Sequence, residues 1–262
     1  MSSKKTVDVL YDDYMSGRRE AGFAPRHGIT TMDAAYDIQG QMMTRVLATT
    51  GARRYGYKIG LTSVRMQALC GIETPVAGLV RSDEVVQSPG TLALSAYGHL
   101  GLEFEIAVRL SRDLDGPGPI TLELVAAAVD GVAPAVEIVD DRKLDLKQMD
   151  VLSLIAENTW NAGLQVGTFV APPVNWGDLA DTQGTLAING ASADTGYGRD
   201  ALGHPYAPVA WLASYLITRG QKLCAGDVIS TGSIMPVRFP NPGDTFTFTL
   251  AGIGTITTSV TA

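Results

Sequence analysis

The chain of 262 residues has only two cysteines and three histidines. Cys70 and Cys224 lie far apart and outside any metal-binding spacing, so we expect two reduced thiols and neither a disulfide nor a zinc site. No apolar run reaches the length of a membrane span, and residues 1–15 are too polar for a signal peptide. We therefore expect a cytoplasmic protein without a membrane partner.

Positive charge is also scarce, with 20 Lys and Arg residues against 27 Asp and Glu and a net charge of −7. The sequence has no basic stripe and no interleaving of basic and aromatic residues, which argues against binding to nucleic acid. Hydrophobic residues make up 45% of the chain and charged residues 18%, a composition typical of globular proteins. The length suits one large domain or two small ones.

Helical patterns come first along the chain, and strand patterns follow. A helix is predicted over 32–49, with Thr31 as its N-cap and Gly51 just after its end. Because the sequence shows no internal repeat or low-complexity linker, we expect one α+β domain. Within it, residues 1–60 are expected to form a small helical N-terminal lobe and residues 61–262 a β-rich core.

The remaining local patterns divide the core into short elements. Strands are predicted over 55–61, 91–94, 102–110, 133–139, 164–170, 185–189, 228–231, 245–250 and 254–260. Helices are predicted over 62–69, 121–129, 153–162 and 209–219. Two glycines and Pro75 favour a loop over 71–86, which could lead into a short strand at 79–80.

The predicted strand over 102–110 carries two glutamates two residues apart. In an extended strand Glu103 and Glu105 share one face, while the apolar residues between and beside them point the other way. Their Cα atoms would be roughly 6–7 Å apart, close enough for both side chains to converge on one divalent cation. The same alternation is also typical of an ordinary half-buried strand whose polar face meets water.

Two more charged residues lie in apolar, strand-like runs. Glu137 lies within 132–139 and Lys58 within 55–61, where an unpaired charge would be costly to bury. Three carboxylates and one lysine in such settings suggest a single shared polar site. Oxygen ligands without a Cys/His cluster favour Mg²⁺ or Mn²⁺ over zinc.

Asn158 and Asn161 are three residues apart in the predicted helix over 153–162, on one face of it. We interpret them as core amides that cap neighbouring loops. A different kind of site is suggested by the helix N-terminus at Thr62 and Ser63, because a helix that starts directly after a strand can bind an anion.

At these positions the chain resembles the 2-hydroxypenta-2,4-dienoate (2-oxopent-4-enoate) hydratases and 4-oxalocrotonate decarboxylases of aromatic meta-cleavage pathways. Both belong to the wider fumarylacetoacetate-hydrolase-like group. The similarity runs from about residue 35 to the C-terminus in the expected order. The matching stretches are YKIGLTS at 57–63, EFEIA at 103–107, AVEIVD at 135–140, EN at 157–158 with NAG at 161–163, AWLA at 210–213 and STGS at 230–233.

The resemblance implies a mixed, strongly curved β-sheet or barrel core, a bound Mg²⁺ or Mn²⁺, and a homo-oligomer that could also associate with a partner enzyme of the pathway. Matched residue by residue, it assigns the metal ligands to Glu103, Glu105 and Glu137, and the catalytic lysine to Lys58. It assigns contact with a small 2-oxo or 2-hydroxy acid substrate to Leu61, Thr62, Asn161 and Ser233.

One departure from the family pattern falls in the Pro-Asp-Phe-Gly segment. Here the residues are Pro75, Val76, Ala77 and Gly78, so valine replaces an acid that is often assigned a role in proton transfer. The departure leaves the three glutamates untouched. It bears instead on which reaction the chain performs.

The resemblance implies, first, a hydratase that adds water to a 2-hydroxy-2,4-dienoate, or its 2-oxo tautomer, and forms a 4-hydroxy-2-oxo acid. The second alternative is decarboxylation of a longer diacid. Carbon–carbon hydrolysis ranks third, because it needs a general-base histidine dyad, and none of His27, His99 and His204 lies in a matching stretch. A homologue that binds a 2-oxo acid without turnover, or serves as a partner subunit, is a further alternative that Val76 favours.

Overall fold

The computed structural model describes residues 3–18, 22–143 and 149–262. The helices are α1 (Ser3–Ser16), α2 (Phe23–Arg26), α3 (Met32–Thr50), α4 (Val64–Cys70), α5 (Leu122–Ala128), α6 (Val151–Ala156) and α7 (Tyr206–Thr218). The strands are β1 (Arg54–Gly60), β2 (Val76–Arg81), β3 (Val85–Gln87), β4 (Gly90–Ala93), β5 (Leu100–Leu110), β6 (Val129–Asp140), β7 (Asn161–Val166), β8 (Gln183–Ile188), β9 (Ala191–Tyr197), β10 (Val228–Ser233), β11 (Thr245–Leu250) and β12 (Gly254–Thr261). Among the described residues, no helix is both long and apolar enough to cross a membrane.

The strands form two mixed sheets. The first has seven strands in the order β2-β1-β10-β5-β6-β7-β3, and the second has five in the order β4-β12-β11-β8-β9. Most neighbours are antiparallel, but β1 and β10, β3 and β7, and β4 and β12 are parallel pairs. This mixed α+β architecture confirms the predicted fold class.

The seven-stranded sheet curls so strongly that β2 approaches the residues just before β7. The Asn158 side chain bonds to both backbone groups of Leu79, accepting from its N–H at 2.7 Å and donating to its C=O at 2.9 Å. Gly78 is needed at this closure, because a Cβ there would lie 2.3 Å from Thr159 Oγ1. The curl leaves a concave face inside the sheet, and that face carries the predicted polar site.

The two long strands β5 and β6 form the centre of this sheet, and both of their faces are largely buried. On the face away from the glutamates, Phe104 packs against Phe246 and Phe248 of the second sheet, with ring centroids 6.0 and 5.5 Å apart. The strand is therefore covered on both faces over most of its length, and the ordinary half-buried alternative does not apply. Glu105 is fully buried, whereas Glu103 is partly exposed.

The N-terminal helices build a second apolar core with α6. Its largest buried members include Phe23 and Met42, and Val76 of β2 joins it. β1, which lies within the predicted N-terminal lobe, is the second strand in the order of the seven-stranded sheet. The division of the chain at residue 60 stays a prediction.

Several elements form where the local pattern indicates. The predicted helix over 32–49 is α3, with the Thr31 hydroxyl accepting from the Ala34 N–H at 3.2 Å. The predicted hairpin of 245–250 with 254–260 is the β11–β12 pair. Here local propensity and tertiary packing favour the same structure.

Two predictions of local structure are wrong. The loop predicted over 71–86 is too long: the short strand at 79–80 is part of β2 (Val76–Arg81), which pairs with β1, and Val85–Gln87 forms β3. The helix over 153–162 ends at Ala156, and Asn158, Thr159 and Trp160 all have positive φ before β7 begins. Asn158 and Asn161 therefore do not share a helical face.

The sequence pattern also missed β9, which lacks apolar alternation and lies at the edge of its sheet.

Candidate active site

The register of β5 and β6 places the three predicted carboxylates together. Glu103 lies directly opposite Glu137, and Glu105 is two residues further along the same face of β5. One oxygen from each side chain lies within 4.8 Å of those from the other two. Glu105 and Glu137 are fully buried, whereas Glu103 is partly exposed. Such a cluster of oxygen donors is suited to a divalent cation.

Lys58 reaches the same site from β1. Its Nζ lies 3.0 Å from Glu137 Oε1, and its side chain is only 5% exposed. Asn161, at the start of β7, donates from Nδ2 to the same Glu137 oxygen at 3.3 Å. The structure thus brings the predicted lysine and the three glutamates into a single polar cluster.

Glu105 is held by β10. Its Oε2 accepts a hydrogen bond from Ser230 Oγ at 2.5 Å and another from the Gly232 N–H at 2.8 Å. The β10–β5 pairing shifts register between Ser230 and Ser233, which turns the Gly232 amide toward the carboxylate. Gly232 has φ 107°, and a Cβ there would lie 2.3 Å from Thr62 Oγ1, so only glycine fits.

Each buried carboxylate keeps one oxygen free. Among the residues that the structure describes, Glu105 Oε1 and Glu137 Oε2 are buried and have no hydrogen-bond partner. A buried carboxylate oxygen without a partner is costly, and two in one cluster need a common explanation. A divalent cation provides it, because it would offset most of the charge of the cluster and bind oxygen ligands from all three glutamates.

The ionisation of the cluster reflects its burial. Burial raises the pKa of Glu137 to about 7, although the Lys58 ammonium opposes the rise. Burial and the neighbouring Glu137 charge also raise the pKa of Glu105 well above its ordinary value. Burial acts to lower the pKa of Lys58, but the charges of Glu137 and Glu103 outweigh it and raise that pKa. Without a cation, the cluster therefore resists full ionisation of its carboxyl groups, and a bound cation would favour their ionised forms.

The profile of the fumarylacetoacetate (FAA) hydrolase C-terminal family matches residues 67–261. The chain belongs to this family. It is 34% identical over 261 residues to the 2-hydroxyhexa-2,4-dienoate hydratase of Comamonas testosteroni, a match that covers 97% of each chain. It is 35% identical over 226 residues to a 4-oxalocrotonate decarboxylase of Pseudomonas putida, covering 86% of this chain and 84% of the relative.

A solved family structure has the same fold. The 4-oxalocrotonate decarboxylase from Pseudomonas putida G7, complexed with magnesium and adipate, superposes with a TM-score of 0.90 at 30% identity. The superposition covers 98% of this chain and 97% of that one. The resemblance that the sequence motifs indicate is thereby confirmed. The roles of individual residues in this member of the family stay predictions.

The four predicted substrate-binding residues occupy different positions around the cluster. Asn161 contacts Glu137, and Thr62 lies beside Gly232. Leu61 is half-buried at the end of β1 with φ 55°, so its backbone turns sharply there. The Ser233 hydroxyl is engaged by backbone, accepting from the Phe104 N–H at 3.2 Å and donating to the Met235 C=O at 2.7 Å.

Val76, where this family member departs from the pattern, lies close to Lys58. A Cβ placed on Gly60 would be 3.3 Å from Lys58 Nζ and 3.7 Å from Val76 Cγ2. Val76 is 1% exposed and packs with the N-terminal helices. It therefore forms an apolar wall next to the buried ammonium group.

Sequence reasoning missed the residues that orient Glu105. Ser230 and Gly232 lie in the STGS stretch that carries the family resemblance, but no role was assigned to either. The sequence signal that could have identified them is a serine and a glycine, two residues apart, at the end of a predicted strand. Asn158 fits its interpretation as a core amide, because its side chain bonds to the backbone of β2.

Proposed function

We propose that this family member is a divalent-metal-dependent hydratase of 2-hydroxy-2,4-dienoates in the catabolism of aromatic compounds by meta-cleavage. The product is a 4-hydroxy-2-oxo acid. The single observation that carries the proposal is the cluster of three glutamates with two unpartnered buried oxygens beside a buried lysine. The similarity to a 2-hydroxyhexa-2,4-dienoate hydratase over 97% of the chain supports this choice of substrate.

Glu103, Glu105 and Glu137 would hold Mg²⁺ or Mn²⁺, which both prefer oxygen ligands. When bound, the cation supplies Lewis acidity toward the carboxylate and the 2-oxygen of the substrate. Ser230 and Gly232 keep one Glu105 oxygen occupied and so leave the other for the cation. This fixed arrangement would reduce the reorganisation needed on binding.

Lys58 is the residue that we assign to proton transfer. During ketonisation its Nζ gives a proton to the carbon chain and regains one from the 2-hydroxyl, so the exchange is balanced. Water then adds at the far end of the conjugated system. Three ionised carboxylates exceed the charge of a divalent cation by one, and the Lys58 ammonium, 3.0 Å from Glu137, balances that excess.

Decarboxylation is the second candidate. It is favoured by the similarity to 4-oxalocrotonate decarboxylases, at 35% sequence identity to one and a TM-score of 0.90 to another. The same glutamates and Lys58 would bind a longer diacid, and loss of CO₂ would replace the addition of water. A role in binding a 2-oxo acid without turnover is the third candidate, since Val76 cannot transfer a proton.

One experiment separates the three. The purified protein is incubated with Mg²⁺ and a panel of 2-hydroxydienoates and 2-oxo diacids, while dienol absorbance and CO₂ are measured. Loss of absorbance without CO₂ supports the hydratase, and loss with CO₂ supports the decarboxylase. No change with any compound would support a binding role.

Light scattering on the same sample tests the homo-oligomer that we also propose.

A further inference from the structure

An apolar surface adjoins the three-glutamate cluster on the same face of the main sheet. We propose that Val237 and Phe239 form the subsite for an uncharged, apolar tail at the far end of the substrate. This inference rests on the proposed function and extends it to the choice of substrate.

The chain segment that follows β10 continues to pair with β5 after the register shift. The Leu102 N–H donates to the Arg238 C=O at 2.8 Å, and the Arg238 N–H donates back to the Leu102 C=O at 2.9 Å. Residues directly opposite each other in an antiparallel pair point to the same face. Arg238 therefore shares the face of Leu102, and its neighbours Val237 and Phe239 share the opposite face, which carries Glu103.

The space around Gly101 confirms this orientation independently. A Cβ on Gly101 would lie 3.2 Å from Val237 Cγ2 and 3.4 Å from Phe239 Cε1. Both side chains thus occupy the position that a side chain at residue 101 would fill. Gly101 is two residues from Glu103 along β5, roughly 6–7 Å at Cα. A small acid anchored at the glutamates would extend its carbon chain over that distance.

The surface is exposed and yet held in place. Val237 is 36% exposed and Phe239 is 49% exposed. The Phe239 ring stacks on the His99 ring, with centroids 4.4 Å apart and an angle of 7° between the planes. His99 Nδ1 in turn lies 2.6 Å from Asp141 Oδ1. An exposed aromatic ring fixed from behind offers a ligand apolar contact at little cost in side-chain entropy.

The charges around this surface favour an uncharged tail. Arg238, the basic residue of the segment, faces away and forms an ion pair with Asp194. The imidazole behind Phe239 is bonded to the Asp141 carboxylate, which offers no attraction to a second carboxylate of a ligand. A dienoate with an alkyl or aryl tail therefore suits the subsite better than a dicarboxylate.

The test is steady-state kinetics on 2-hydroxydienoates whose tails are hydrogen, methyl, butyl and phenyl. Wild type is compared with Val237→Ala, Phe239→Ala and the milder Phe239→Leu, and with Leu124→Ala as a control at an exposed apolar residue of α5. We expect KM for the butyl and phenyl compounds to rise about ten-fold in Phe239→Ala, because each lost apolar contact weakens binding. KM for the unsubstituted compound and kcat should change less than about two-fold.

Two kinetic outcomes would overturn the inference: unchanged KM for the long-tailed compounds, or an equal loss for every tail length. If wild type turns over none of the dienoates, the proposed function fails, and the subsite is then tested separately by calorimetry. In that case saturated 2-oxo acids of the same tail lengths are titrated in the presence of Mg²⁺. Affinity that rises with tail length in wild type but not in Phe239→Ala supports the subsite, and a flat series rejects it. A changed oligomer size in Phe239→Ala with unaltered tail dependence would identify a subunit contact instead.

Discussion

Glu105 and Glu137 each use one carboxylate oxygen for the protein and leave the other free. Ser230 and Gly232 hold the first carboxylate, while Lys58 and Asn161 hold the second. Buried polar groups in folded proteins nearly always have partners, so the free oxygens mark the place where a ligand belongs. At the scale of single residues, the site is therefore prepared for a cation before one arrives.

Replacing Glu105 with Gln should sharply weaken Mg²⁺ or Mn²⁺ binding, because a neutral amide is a poorer ligand for a hard cation. Calorimetric titration of the variant measures this loss. Glu123→Gln, at an exposed residue of α5, is the matched control and should bind like wild type. Unchanged Mg²⁺ affinity in Glu105→Gln would contradict a metal site formed by the three glutamates.

Replacing Lys58 with Met should abolish turnover and largely preserve the fold. The change keeps the length of the side chain and removes a desolvated charge that interacts with Glu137. General acid–base assistance contributes on the order of 10²–10⁴-fold, so a loss of that size is expected in kcat. Circular dichroism checks the fold. A near-normal rate would show that Lys58 has only a structural role.

Val76→Asp should raise the hydration rate of a short 2-hydroxydienoate, because it places an acid beside Lys58. It should also destabilise the protein by about 1–3 kcal/mol, since a carboxyl group enters an apolar wall. Val76→Asn is the matched control, with the same shape and no titratable group, and should give no gain in rate. A folded Val76→Asp protein with no gain on any dienoate would argue against hydratase chemistry.

At the scale of elements, Asn158 closes the sheet where backbone pairing stops. Its amide takes the place of a strand residue by bonding to both backbone groups of Leu79, and it is fully buried. Asn158, Thr159 and Trp160 all have positive φ at this connection. The turn into β7 thus depends on a tertiary contact as well as on its own sequence.

Asn158→Ala should lower the free energy of unfolding by about 1–3 kcal/mol, because it leaves a donor and an acceptor of the partly buried Leu79 without their partner. Urea denaturation followed by circular dichroism measures the loss. Asn175→Ala, at an exposed position, should change stability by less than about 0.5 kcal/mol. Equal stability of the two variants would contradict the closing role of Asn158.

The same contact shows why some elements of the fold could not be predicted from the sequence. Elements whose local signals agree with their packing were predictable, such as α3 with its Thr31 cap. Of β2, only a short strand at 79–80 was indicated, because Pro75 and the glycines around it favour a loop, and pairing with β1 is what extends the strand over Val76–Arg81. The helix predicted over 153–162 is too long for a related reason. The hydrogen bonds between the Asn158 side chain and the distant Leu79 backbone favour a non-helical connection there.

At the scale of the whole molecule, the site exists because a curled sheet joins distant parts of the chain. β1 contributes the lysine, β5 and β6 the glutamates, and β10 the groups that orient Glu105. The sequence could indicate which residues belong together, since charges in apolar runs need partners. It could not give the register or the chain segment beside β5, because both depend on pairing between strands far apart in sequence.

The central claim is that this chain hydrates a dienoate only with a divalent cation at the glutamate cluster. The most direct test is to follow dienol absorbance of 2-hydroxypenta-2,4-dienoate with protein that has been stripped by a chelator, before and after Mg²⁺ is added. We expect no turnover in the stripped protein and recovery with Mg²⁺, without release of CO₂, in wild type but not in Glu105→Gln. Undiminished turnover in protein shown by elemental analysis to hold no metal would contradict it.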